Sequence, residues 1–289
     1  MFYGEIAGIW IHFRLNCLVI CSLLLAMTPG YQLVFQDEFD KDGRVDGTKW
    51  TYELGFVRNR EAQWYQRSNV FVENGHLIIE GRKEFVLNPN YDASVSGAPK
   101  GSAARPEEDW KKARPSAEYT SGSIKTRGLH SWRYGRFEAR AKINPIKGLW
   151  PAFWMVGDTK RWPSNGEIDI MEFYQQHLHA NTCYGDGGGK WDSIKKPIGD
   201  FFKQDPDWAN KFHVWRMDWD EKSIKIYADD FLMNETDITN TKNADGFNPF
   251  HQKHCVILNL AIGSTGGDPK DVEFPTRYEV DYVRVYQQK

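Results

Sequence analysis

The 289 residues carry 37 basic against 39 acidic side chains and no basic block, which excludes the electrostatic footprint of a nucleic-acid or anionic-membrane binder and favours a neutral or weakly charged partner. The length suits one large β domain or two ordinary ones. Aromatic residues reach 15%, with 12 Trp, and their flat faces serve either a large core or the stacking of sugar rings.

The first 30 residues differ from the rest. His12 and Arg14 precede an apolar run from Leu15 to Met27 that ends in Thr28-Pro29-Gly30, the layout of a secretory signal and too short for a comfortable membrane span. The expectation is a signal peptide over residues 1–30, cleaved near Gly30, and a secreted or cell-envelope protein with no membrane span. Cys21 invites a lipoprotein anchor, although Val19 and Ile20 are bulky where lipid attachment wants small residues. With the signal removed only Cys183 and Cys255 remain, which is no disulfide scaffold. They are expected as buried free thiols, with pairing open if their strands are neighbours. No Cys/His cluster has zinc spacing.

From residue 33 onward short strands of alternating polarity dominate. They are expected at 33–35, 70–73, 76–81, 121–126, 135–143, 150–156, 168–173, 179–184, 213–218, 223–228, 256–262 and 278–286, punctuated by turn signals such as Asn74-Gly75. Such regularity with little helical periodicity predicts an all-β antiparallel sandwich or barrel. The segment 205–210 alone looks helical. Residues 88–118, with four prolines and no period, read as a long loop that either walls a cleft or is disordered. No internal repeat or Ser/Gly linker divides 31–289, so it is expected to be a single β-sandwich domain.

The segment Gly166 to Phe173 sets three carboxylates in an otherwise apolar strand. Strand alternation points Glu167 and Asp169 to one face, with Ile168 and Ile170 toward the core. Glu172 falls out of phase unless a β-bulge at Ile170 or Met171 restores it, and bulges are frequent beside active sites. The three acids then form one row. Retaining glycosidases need two carboxyls roughly 5–5.5 Å apart, one as nucleophile and one as acid then base. The Cα atoms of Glu167 and Glu172 would be about 13 Å apart along the strand, a gap that long side chains on a concave sheet can largely close. Asp169 between them would orient the nucleophile and shift its neighbours' proton affinities. An exposed acidic edge or a calcium-binding strand is the competing reading. The neighbouring Trp150-Pro151-Ala152-Phe153-Trp154 weighs against it, because period 2 sets Trp150 and Trp154 on one face as stacking platforms, unless both are core residues.

The chain here resembles glycoside hydrolase family 16, in its laminarinase-like branch, over roughly residues 33–286. The matching pieces are Phe35-Gln36-Asp37-Glu38-Phe39, Tyr134 to Arg140, Trp150 to Trp154, Gly166 to Phe173, Leu258 to Gly263 and Val280 to Tyr286. The resemblance implies a two-sheet antiparallel jelly roll, concanavalin A-like, with a substrate cleft across its concave face, and hydrolysis with retention. It implies Glu167 as nucleophile, Asp169 as its helper and Glu172 as acid/base. It further implies Trp150, Trp154, Asn59, Arg127 and Asn259 as cleft residues, no cofactor for catalysis, and a structural calcium held by Glu38, the Gly75 carbonyl and Asp281.

The family leaves the substrate open among β-1,3- and mixed-linkage glucans, agars, carrageenans and galactose-containing host glycans. Glu-x-Asp-x-x-Glu and the segment Phe56 to Tyr65 are similar to the glucanase type, in which an Asn-x-Glu segment lines the negative subsites. Cys183-Tyr184-Gly185 departs from the Ala-Trp-Gly of many glucanases, and a missing indole there would reshape a subsite. The reading is an endo-β-1,3(4)-glucanase acting as a monomer on polysaccharide. An endo-β-galactosidase for galactan, mucin or keratan-type chains is the runner-up. A non-catalytic glucan-binding protein is the rival of another class, disfavoured because an idle buried acidic row would cost stability.

Overall fold

The computed structural model describes residues 30–96 and 107–289, so all of the expected signal segment except Gly30 lies outside the described residues. Two antiparallel sheets face each other. The outer one runs in the order Phe231–Asp237, Ser223–Ala228, His213–Trp219, Gly135–Lys142, Thr276–Gln288, His76–Gly81, Val70–Glu73, with Tyr31–Asp37 also paired to Thr276–Gln288. The inner one runs Lys190–Pro197, His177–Tyr184, Glu167–Tyr174, Leu149–Gly157, His254–Ile262, Ser123–Lys125, Thr51–Tyr52. This is the jelly roll expected from the alternating pattern.

The alternation explains how the sheets stack. In Gly135–Lys142 the residues Phe137, Ala139 and Ala141 enter the core, while Arg136, Arg140 and Lys142 face outward and pair across strands with Asp218, Asp281 and Glu279. Phe153, Phe173, Trp215, Trp219 and Tyr278 fill the space between the sheets. Among the described residues six tryptophans are buried, namely Trp50, Trp110, Trp132, Trp208, Trp215 and Trp219, so more than half of the described indoles do serve buried packing.

Three local expectations are corrected. Besides short strands of two or three residues, such as Thr51–Tyr52 and Gln63–Tyr65, two long strands escaped the alternation reading, Lys190–Pro197 and Phe231–Asp237. Both lie at sheet edges, and their inward faces carry polar residues, Asp192 and Lys196 on one and Asn234 and Thr236 on the other, which blurs the polarity pattern. The longer of the two α-helices among the described residues lies at Ile198–Gln204, just after Pro197, and only a 3₁₀ turn, Trp208–Asn210, falls where helix was expected. Phe201 and Phe202 pack on Trp208 and fix that order. Within 88–118, the described residues support the cleft from behind and none of them lines it. Trp110 and Ala117 cluster with Phe56, while Arg114 lies 4.0 Å above the Phe56 ring and donates to the carbonyls of Glu61 and Ala62.

The calcium set is not confirmed. Glu38 is gripped by both arms of Arg284 at 2.8 and 2.7 Å, and Asp281 is bonded by Arg140 at 2.6 Å. Among the described residues no group of three His, Cys, Asp or Glu side chains is placed to hold a metal. These guanidinium groups supply the positive charge a cation would bring, so the residues present do not fit a calcium site. EDTA should leave the melting temperature unchanged; a fall of several degrees reversed by added calcium would show the opposite.

Candidate active site

Glu167–Tyr174 lies in the middle of the inner sheet. It starts after Gly166 at φ +79°, where a Cβ would press on Pro249 and His254. On the neighbouring Leu149–Gly157 strand, Val156 stands opposite Glu167, Trp154 opposite Asp169 and Ala152 opposite Glu172. The partner therefore advances two residues at each step, while the acidic strand advances two and then three. The extra residue falls at Ile170–Met171, and both side chains enter the core. This is the bulge that alternation required, and it aligns the three acids in one evenly spaced row.

Each acid is held from a different side. Glu167 is bonded by the indole N–H of Trp162 and keeps an open side toward the groove. Glu172 accepts from Trp150 Nε1 at 2.8 Å. Asn181, on the next strand, donates to Asp169 at 3.2 Å and to Glu172 at 3.4 Å. Burial pushes the Glu172 carboxyl up to about 8, assisted by the charge of Glu167 and opposed by the bonds from Trp150, Asp169 and Asn181. Burial also raises Glu167, against bonds from Asp169 and Trp162 and the charge of Arg58. Asp169 is raised well above the ordinary carboxylate range by burial and then by Glu172 and Glu167. Its Oδ1 is buried without a donor, so a retained proton gives it a bond to hand to Glu167. The row thus sets Glu172, which keeps its proton near neutrality, beside Glu167, whose carboxylate is favoured by bonds from Asp169 and Trp162 and by the charge of Arg58, a division of labour suited to acid and nucleophile.

The row floors a groove of 820 Å³ lined by Trp150, Ala152, Trp154 and Val156 on one strand and by Ile257 and Asn259 on the next. Both expected platforms are half-buried and open to it. Asn259 accepts from Trp154 Nε1 at 2.7 Å and donates to Tyr65 at 3.3 Å, so it acts first as a brace for that indole. Arg58 lies 5.0 Å above the Trp154 ring and is paired with Glu53. Asn59, at φ +54°, donates to Glu61 at 3.3 Å. Arg127 reaches the groove with its Nη2 on the Gly157 carbonyl at 2.9 Å. All five expected cleft residues therefore line one groove with Glu167 and Glu172.

The family model for glycosyl hydrolases family 16 matches residues 59–284, most of the chain. The chain belongs to glycosyl hydrolase family 16. This family 16 hydrolase is 34% identical to the β-glucanase of Rhodothermus marinus over 95% of its own length and 93% of the relative's. Among solved structures it is similar to one described under endo-acting O-glycanases of the human gut microbiota that initiate mucin breakdown, with a TM-score of 0.77 and 34% identity over 91% of this chain and 93% of that one. A non-specific endo-β-1,3(4)-glucanase of family 16 gives a TM-score of 0.71 and 32% identity over 92% and 94%.

Trp162, Trp191, Tyr174 and Asn181 of this family 16 hydrolase were missed by sequence reasoning. Trp162 sits in a loop without periodicity, and Trp191 on an edge strand. The concern over Tyr184 is removed. Its ring turns to the core side and packs edge-on against Phe250, so an indole at that position would not floor the groove. Cys183 and Cys255 are buried free thiols. Burial and the charges of Glu167 and Asp169 push Cys183 up to about 12, which keeps it an inert packing residue.

Proposed function

We propose that this glycoside hydrolase is a secreted, monomeric endo-β-1,3(4)-glucanase that cleaves with retention. The observation that carries the reading is the evenly spaced row of Glu167, Asp169 and Glu172, in which burial pushes the proton affinity of Glu172 up to about 8. Glu167 attacks the anomeric carbon while Glu172 gives its proton to the departing glycosidic oxygen. Glu172 then takes a proton from the water that releases the sugar from Glu167. Asp169 holds the nucleophile through its retained proton, and Trp150 fixes the carboxyl of Glu172. The apolar run before Pro29 supports export, and Trp150 and Trp154 support a glycan partner.

The similarity in shape to a structure described under mucin O-glycanases favours a second reading, an endo-acting enzyme on galactose-containing host glycans. A product profile against laminarin, barley mixed-linkage glucan, agarose and mucin glycans separates the two. Oligosaccharides should appear from the first two, with the β-anomer leading in an early NMR spectrum. Release from mucin alone would replace the glucan reading, and an α-anomer leading would overturn retention.

A further inference from the structure

The two most exposed tryptophans among the described residues are Trp162 at 52% and Trp191 at 48%. Their rings meet, with centroids 6.5 Å apart and planes at 52°, and both line the groove. Apolar surface of this size left open beside a row of acids calls for an occupant. Trp191 stands opposite Cys183, and Cys183 opposite Glu167, so Trp191 lies two strands from the row, about 10 Å at the usual strand spacing. Its neighbour Asp192 turns the other way and bonds Thr236 of the outer sheet, so Trp191 faces the groove.

The groove is therefore unlike on its two sides. Beyond Trp154 it is polar and rigid, with Arg58, Glu61, Asn59 and Asn259 bonded to one another or to their neighbours. On the other side it offers two indole faces. The sugar that becomes bonded to the enzyme has to be held and distorted by directional bonds through both steps. The departing chain needs only a grip in the first step and free release after it, which stacking provides.

We propose that Trp191, set against Trp162, is the stacking platform for the leaving-group part of a β-linked glycan, beyond the bond that is cut, and that it makes polymer a better substrate than short glycosides. This rests on the endo-acting reading above. The test uses the oligosaccharide that the wild type releases from whichever polymer it cleaves, prepared both as an elongated oligosaccharide and as an aryl glycoside with the same sugar on the bonded side. Trp191→Ala should lower kcat/KM for the oligosaccharide relative to the aryl glycoside by roughly tenfold. Trp191→Phe, which keeps an aromatic face, should recover much of that ratio, and the melting temperature should hold because the indole is exposed at a sheet edge.

An equal loss on both substrates would move Trp191 to the bonded-sugar side and overturn the proposal. So would an unchanged ratio, while the product profile of the wild type would stand untouched. An enzyme that cleaves no polymer in the panel would fail the functional reading first and this one with it.

Discussion

Glu167→Ala should remove glycan hydrolysis, with kcat down by about four orders of magnitude or more, because no second group can form the covalent intermediate. The variant should fold, since Glu167 keeps one side open to the groove and its loss removes a charge that raises Asp169 and Glu172. Added azide or formate should restore part of the turnover on an activated glycoside by occupying the vacated space, giving a glycosyl adduct of inverted configuration. NMR of that adduct is the check. Rescue with a retained adduct would exchange the roles of Glu167 and Glu172.

Glu172→Gln should lower kcat on natural glycan by about 10²–10⁴-fold, the usual worth of a positioned general acid. On a glycoside with a good leaving group the first step should survive, because such a group departs without a proton, and the covalent intermediate should accumulate. The pH profile provides a second readout. Glu172 must carry its proton, and its affinity is pushed up to about 8, so wild-type kcat/KM should fall as pH rises through that value. The variant should lose that alkaline limb. An alkaline limb that persists in Glu172→Gln would assign the acid to another group.

The same elevation has a sign for stability. A carboxyl whose folded affinity lies above its unfolded one binds more protons when folded, so its contribution is full at low pH and is lost as pH rises through about 8. The buried acids thus weaken the fold most at the alkaline end of the working range.

Much of this was legible from polarity alone. Three acids in an apolar strand can share a face only with a bulge at Ile170 or Met171, and the register places it there. Trp150 and Trp154 followed from period 2. What stayed hidden depended on partners that period cannot reveal. The calcium set is not confirmed, because Arg284 and Arg140, distant in sequence from Glu38 and Asp281 respectively, take those carboxylates. Trp191 was invisible because the half-buried face of its strand carries Asp192 and Lys196, so polarity alternates weakly, although the turn at Gly187 to Gly189 followed by Trp191, Ser193 and Lys195 is a faint two-residue signal. Trp162 lies in a loop that only the fold brings back over Glu167.

The bulge also makes the acidic strand tolerant of a change in length. Because the spacing of the acids is set by Val156, Trp154 and Ala152 on the partner, the row is compatible with either one residue between Asp169 and Glu172 or two with a bulge. Deleting either Ile170 or Met171 would return the strand to plain alternation with all three acids still aligned. The deletion would act inward, removing a buried side chain and the local bend, at a cost of about 2–5 kcal/mol for a lost Ile or Met contact. Insertion and deletion at this point are therefore a route by which relatives can reshape core and curvature while the reacting groups keep their places.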